Sequence, residues 1–271
     1  LQYQTYAVCS TLSDMIQCYW TLDGPAGSVS ERQTIIPDGC MEMIFHYGDL
    51  YKQYLEDGRV IIQPRCFVIG QLTRPLEIAP SGKTGIFSVR FHPDGFVPFS
   101  QMALAEMENT AISLEKLFGE EGEELAVNVL TAGSVSEKIQ FVVQFLTRKL
   151  AATETIDRIT RSLIEAIWHT QGQQSVSALS IKGNINSRQL ERRFLANVGM
   201  TAKQLSRVVR LQNIFKKLLA GKADNFTSLA YEGKYFDQSH FIKEFKQLTG
   251  FTPKQYYHKN LKISSLLYGH S

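Results

Sequence analysis

Two periodicities divide the chain. Over the first hundred residues, TIIPDGCMEMIFHYGD, YKQYLEDGRVIIQP, RCFVIGQL and TGIFSVRFHPDGF combine β-branched and aromatic runs with Gly, Pro and Asp punctuation, the pattern of short strands joined by turns. Strand alternation sets Phe87, Val89 and Phe91 on one face and Ser88, Arg90 and His92 on the other, and separates Met41, Met43 and Phe45 from Glu42 and His46. One side of each strand is therefore expected to be core. From about Ser100 the spacing turns helical, and SEKIQFVVQFLTRKL at Ser136 to Leu150 presents Ile139, Val142, Val143 and Leu146 along one face. That predicts a helical connector.

The last hundred residues repeat themselves. GMTAKQL at Gly199 to Leu205 returns as GFTPKQY at Gly250 to Tyr256, 250 − 199 = 51 residues later. At the same offset Asn186 falls on Asp237, Leu190 on Phe241, Arg192 on Lys243 and Phe194 on Phe245, so two copies of one structural unit are expected. Asn186 and Asp237 have the short side-chain oxygens that cap a helix N-terminus. Leu190 with Phe194 and Phe241 with Phe245 are i, i+4 pairs that turn an apolar stripe inward, and Gly199 and Gly250 suit the left-handed residue that ends a helix. Each unit is read as a capped helix of roughly 11 to 13 residues.

A short apolar segment and a turn containing Gly precede each of these helices: VSALS at Val176 to Ser180, and FTSLAYE at Phe226 to Glu232. The order is helix, turn, helix. Between the units, TAKQLSRVVRLQNIFKKLLAG predicts a helix of about 20 residues, or roughly 30 Å, close to the ~34 Å between successive major grooves on one face of duplex DNA. The outward positions of the second helix are Arg188, Gln189 and Arg192 in one unit and Gln238, Ser239, His240 and Lys243 in the other. Arg can bridge guanine O6 and N7, Gln can bridge adenine N6 and N7, and Ser and His bond to several acceptors in the major groove.

Charge strengthens this reading. The whole chain carries only +3, but from Thr155 onward 18 Lys and Arg face 7 Asp and Glu, giving +11. The preceding part holds 29 − 18 = 11 against 26 − 7 = 19, or −8. A local excess of that size is the electrostatic footprint of something that meets phosphate.

These residues resemble the AraC-type transcription regulators, whose DNA-binding domain is two helix-turn-helix units joined by a long helix. The resemblance is carried by SRQLERRFLANVGMTAKQL, RLQNIFKKLLA and DQSHFIKEFKQLTGFTPKQYY, and covers about Thr155 to Lys259. It implies base-facing positions at Arg188, Glu191 and Arg192 in the first unit and at Gln238, Ser239, His240 and Lys243 in the second. One slot departs from the family: where members carry Gly then an aromatic before the second recognition helix, this chain reads Lys234-Tyr235, with Gly233 one position early.

IQCYWTLDG, IIPDGCMEMIFHYGD and FSVRFHPDGF are similar to the β-rich sensor domains of some of these regulators. That likeness implies a cupin-like barrel that binds an effector or mediates dimerisation, with the helix at Ser136 to Leu150 as the dimer surface. Trp20, Glu42, His46 and Arg90 are the candidates to line the effector cavity, with Arg90 pairing an acidic ligand. A solvated or salt-bridged strand face is the alternative use of the same residues.

The expected architecture is thus α+β, with a β-rich sensing or dimerisation domain over residues 1–153, ending in a helical connector, and a double helix-turn-helix domain over residues 154–262. The expected function is sequence-specific regulation of transcription. Double-stranded DNA is the partner, RNA polymerase joins it by family analogy, and a small-molecule effector and a homodimer are the further expectations.

Other chemistries are poorly supported. SGKT at Ser81 to Thr84 resembles the end of a phosphate loop, but the required earlier glycine falls on Glu77. Neither Gly-x-Ser-x-Gly nor His-Glu-x-x-His occurs, and His46 and His92 stand on separate strands without a His-x-His pair. No catalytic residue, metal or cofactor is therefore expected; the rival is a cupin-like enzyme with a helical scaffold. The four cysteines, Cys9, Cys18, Cys40 and Cys66, form no C-x-x-C pair and are read as reduced thiols. With no apolar run of about 18 residues and no basic leader, the expected compartment is the cytoplasm.

Overall fold

The computed structural model describes residues 1–27, 32–150, 156–219, 235 and 237–258. Among the described residues ten strands come first: β1 Gln2–Tyr6, β2 Ile16–Gly24, β3 Gln33–Ile35, β4 Glu42–His46, β5 Tyr51–Tyr54, β6 Val60–Ile62, β7 Cys66–Ile69, β8 Leu76–Pro80, β9 Thr84–Phe91 and β10 Ala111–Ser113. They form a six-stranded sheet in the order β1-β2-β9-β4-β7-β10 and a four-stranded sheet in the order β3-β8-β5-β6. Every described pairing is antiparallel, and most join strands distant in the chain, such as β2 with β9 and β4 with β9.

The larger sheet is enclosed on both faces along its central strands, whereas its edge strand β1 is largely exposed. Its outer face carries Tyr19, Met43, Phe45, Phe87, Val89 and Phe91, which share one core with Phe118, Leu125, Val142, Phe145 and Leu146. Those last residues belong to α1 Leu114–Phe118, α2 Glu120–Thr131 and α3 Val135–Leu150. On the inner face, register places Glu42 opposite Arg90, Ile44 opposite Ser88 and His46 opposite Ile86, while Trp20 lies opposite Ser88 and Leu22 opposite Ile86. This face looks onto the smaller sheet, since Trp20, Leu22 and Ile86 pack with Tyr51 and Ile78. The apolar side of each strand is core, as alternation predicts, and the mixed side is enclosed as well.

The helical part follows: α4 Arg158–His169, α5 Val176–Lys182, α6 Ser187–Asn197, α7 Ala202–Leu219, α8 Gln238–Thr249 and α9 Pro253–His258. Leu163, Ile167, Leu179, Leu190, Phe194, Leu205 and Val209 form one core around α4 to α7. Phe215, Tyr235, Phe241, Phe245 and Leu248 form a second around α7 and α8. The joining helix α7 thus contributes to both cores, which makes it the common spine of the two units. The residues read as the first helix of the second unit, Phe226 to Glu232, lie outside the described residues, as do Gly233 and Lys234 and the expected boundary near residue 153. Among the described residues no helix is long and apolar enough to cross a membrane.

Candidate nucleic-acid interface and effector cavity

The first helix-turn-helix is α5, a turn through Gly183, Asn184 and Ile185, and α6. Its second helix begins as the sequence suggests. Asn186 Oδ1 accepts from Gln189 N at 2.9 Å, and Gln189 Oε1 accepts in return from Asn186 N at 3.0 Å, a reciprocal capping box. In the second unit Asp237 Oδ1 accepts from His240 N at 2.6 Å and starts α8. Both helices stop at left-handed glycines, Gly199 at φ 82° and Gly250 at φ 79°, a conformation that costs a side-chain-bearing residue roughly 1–2 kcal/mol.

The repeated phrase has a further meaning. Thr201 and Thr252 open the following helices through capping boxes with Gln204 and Gln255, whose side-chain oxygens accept from Thr201 N at 2.8 Å and from Thr252 N at 2.9 Å. The return bonds, Gln204 N to Thr201 Oγ1 at 3.2 Å and Gln255 N to Thr252 Oγ1 at 3.3 Å, complete each box. Gly-x-Thr-x-x-Gln is therefore a stop signal followed by a start signal, and both glutamines are spent on backbone.

Between these signals the apolar stripes are buried, with Leu190, Phe194, Phe241 and Phe245 no more than 1% exposed. Arg188, Gln189, Glu191, Arg192, Gln238, Ser239, His240 and Lys243 are all exposed. Gln189 differs from the rest, because its Oε1 is engaged in the cap and only its Nε2 is left to meet a base. Ile242, in the register of Glu191, is an exposed apolar position on the outer face of α8 that alternation alone did not single out; an apolar side chain there suits a thymine methyl. Tyr235 fills the aromatic slot before α8, edge-on to Phe241 at 5.1 Å and His240 at 5.5 Å.

Several basic residues are internal struts. Arg193 pairs with Asp157, the N-cap of α4, at 2.5 Å. The Asp157 carboxyl lies below its usual range: burial would raise it, but hydrogen bonds from Thr160 and Arg193 outweigh that. Arg207 on α7 pairs with Glu244 on α8 at 2.9 Å and donates to Gln247 at 2.6 Å, tying the second recognition helix to the spine. These pairings remove Arg193 and Arg207 from the set aimed at DNA.

The other candidate group converges on a cavity between the two sheets. Trp20, Glu42, His46 and Arg90 all line it, in a volume of about 100 Å³ with mostly apolar walls that include Ile44, Tyr51, Phe67 and Ile78. The smaller sheet adds Gln33, and the turn after β3 adds Asp38. Arg90 is already paired, to Glu42 at 2.7 Å and to Asp38 at 3.1 Å. It does not stand free for an acidic ligand, because two carboxylates face one guanidinium. The Glu42 carboxyl is raised by burial, against the pull of Arg90.

At the other end His46 is 2% exposed and stacks on Tyr51 at 5.2 Å. Burial pushes its pKa down to about 4, so the ring is neutral near pH 7. Gln63 opposes that fall, yet neither ring nitrogen reaches a partner in hydrogen-bond geometry, and the same holds for Trp20 Nε1 and Gln33 Nε2. His92 lies outside this lining, and its pKa is lowered by burial and by Arg161. Among the described residues no cluster of three or more His, Cys, Asp or Glu could hold a metal ion. SGKT forms the bend between β8 and β9, where Asp49 Oδ2 accepts from Lys83 N at 2.6 Å.

One loop belongs to both candidate sites. Ile36 lines the cavity and is also packed into the core of Val208, Leu211 and Phe215. Next to it the Pro37 carbonyl accepts from Gln212 Nε2 on α7 at 2.6 Å. Asp38 turns back to Arg90, and a Cβ on Gly39 would stand 2.9 Å from Leu205 Cδ1 of α7. The cavity wall and the spine of the helical part are therefore in direct contact through residues 36–39.

A family model described as a helix-turn-helix domain matches residues 179–259, and one described as a domain of unknown function, DUF6597, matches residues 4–113. No curated protein matches the chain. Among solved structures the chain is similar to ToxT from Vibrio cholerae, with 13% identity and a TM-score of 0.48 over 88% of this chain and 97% of that one. It is similar to an unsaturated fatty acid-bound form of ToxT from the same organism, with 12% identity and a TM-score of 0.45 over 87% and 94%. The AraC-like transcriptional activator CuxR is 14% identical, with a TM-score of 0.34 over 82% of each chain.

Proposed function

We propose that this chain, a DNA-binding transcription regulator with an AraC-type helix-turn-helix domain at its C-terminal end, reads duplex DNA with α6 and α8 in adjacent major grooves. The carrying observation is the pair of independently capped helices with buried apolar stripes and exposed polar faces, both packed on α7. Arg188 and Arg192 are the base readers of α6, with Glu191 beside them. On α8, Gln238, Ser239, His240 and Lys243 divide base-edge and phosphate contacts. Gln189 contributes through Nε2 while its oxygen holds the cap.

The chain then divides into a sensing part at residues 1–153 and a DNA-binding part at residues 154–262. The cavity lined by Trp20, Glu42, His46 and Arg90 is the effector site, and residues 36–39 carry its state to α7, the helix that both DNA-reading units share. RNA polymerase as a partner, a homodimer through α3, a cytoplasmic location and the absence of an enzymatic role complete the proposal, and these four rest on the family resemblance.

The test is a mobility shift of the full chain on random duplexes across a salt series. Neutralising Z phosphates gives a slope in log K against log[salt] of about −0.9Z, so affinity is expected to fall steeply between ~50 and ~200 mM salt. No binding at low salt would remove the DNA-binding function and leave a cupin-like enzyme as the better account.

A further inference from the structure

The cavity between the sheets has properties that specify an occupant. Its volume of about 100 Å³ is on the scale of the ~150 Å³ apolar cavity that accepts benzene, so a molecule of about one ring fits without rearrangement. Three buried side chains on its wall lack hydrogen-bond partners: Trp20 at 6% exposure through Nε1, Gln33 at 7% through Nε2, and His46 at 2% through both ring nitrogens. Burying a polar group without a hydrogen-bond partner forfeits its hydration, and an occupant that pairs with it recovers that cost.

Charge narrows the class further. Arg90 faces Glu42 and Asp38 together, so its charge is already matched within the protein, and the neutral His46 ring supplies no cation at the other end. A carboxylate brought inside would be desolvated without a free counter-charge.

We propose that this cavity binds an uncharged, single-ring-sized molecule bearing a hydroxyl or carbonyl group, held by Trp20 Nε1–H, Gln33 Nε2–H or the His46 ring. The proposal rests on the effector-site reading above and names the ligand class for it. The hydroxyl or carbonyl oxygen accepts from Trp20 or Gln33, and a hydroxyl also donates to whichever His46 nitrogen carries no proton. The ring packs against Ile44, Phe67 and Ile78.

Phenol, toluene and benzoate separate the contributions, because toluene is phenol's near-isostere without the hydroxyl and benzoate adds the charge. Binding of each to the full chain is measured by titration in NMR spectra, without DNA. Saturable binding of phenol is expected, at least tenfold tighter than toluene or benzoate. Trp20→Phe and Gln33→Leu are each expected to weaken phenol and leave toluene within twofold, a split that a merely misfolded variant would not produce. Benzoate binding as tightly as phenol, toluene matching phenol, or no saturable binding of any of the three would overturn the proposal. DNA affinity of the ligand-free protein is recorded separately, so failure here is distinguishable from failure of the DNA-binding reading.

Discussion

Replacing Arg161 by alanine lowers the stability of the protein by about 3 kcal/mol, the lower end of what breaking a buried ion pair costs. Arg161 on α4 reaches across to the β-rich part, donating from Nε to Asp94 at 2.6 Å and from Nη2 to the Asp14 carbonyl at 2.8 Å. Asp94 is 2% exposed at its side chain whereas Arg161 is 25% exposed, so the arginine can be solvated if the pair opens and the carboxylate cannot. Its other oxygen, Oδ1, has no hydrogen-bond partner, which leaves Arg161 as the principal compensation for a buried charge. The lower end applies because the arginine side of the pair is open to solvent and screened.

A fall in Tm of roughly 6 to 10 °C follows for a chain of this size, measurable by calorimetry. Adding Asp94→Asn to Arg161→Ala removes the stranded charge, and the double variant is expected to recover part of the loss. A change within about 0.5 kcal/mol for Arg161→Ala alone would mean that water already reaches Asp94.

The second large effect falls on DNA rather than on stability. Arg188→Ala and Arg192→Ala each cost roughly 1 to 3 kcal/mol on the cognate site, about 5- to 150-fold in affinity, and relax the preference at one base pair. Both side chains project from exposed positions on α6, so the folded protein is expected to keep its Tm, unlike Arg161→Ala. Arg193, next to Arg192, behaves differently, because its guanidinium holds Asp157 and its loss loosens α6 against α4. Equal loss on every duplex for Arg188 or Arg192 would make them phosphate contacts, which position the protein without carrying sequence information.

Much of the helical part was legible because its signals are local. An N-cap, a left-handed glycine and an i, i+4 apolar pair each act within a few residues, and Asn186, Gly199, Asp237 and Gly250 occupy those roles. The glutamines were harder to assign. Gln189, Gln204 and Gln255 lie three residues after a cap, a spacing visible in the chain, yet Gln189 reads as an outward contact of α6 and the sequence pattern assigns none of the three to a capping box.

In the β-rich part, alternation separated the two faces of β4 and β9 correctly, but it could not say that the mixed face meets a second sheet. That depends on pairings between strands distant in sequence, such as Glu42 with Arg90, and on the packing of Tyr51 and Ile78 against Trp20. Asp38 as the second partner of Arg90 comes from a turn, where no periodicity operates. The pairing of Asp94 with Arg161 spans 67 residues and joins two parts that composition treats as separate. Arg161 and Arg207 were thereby counted with the phosphate-binding charge, although their geometry spends them on Asp94 and Glu244.

The most direct test of the account is selection of preferred duplexes from a random pool by the full chain, followed by sequencing. Two recognition helices packed on one shared helix predict an enriched site with two conserved elements centred about one helical turn, or ~10 base pairs, apart. Arg188→Ala and Arg192→Ala should each relax preference at one base pair of one element and leave the other element intact. A pool that emerges without enrichment, or with a single short element indifferent to both substitutions, would contradict the claim that the repeated units read adjacent grooves.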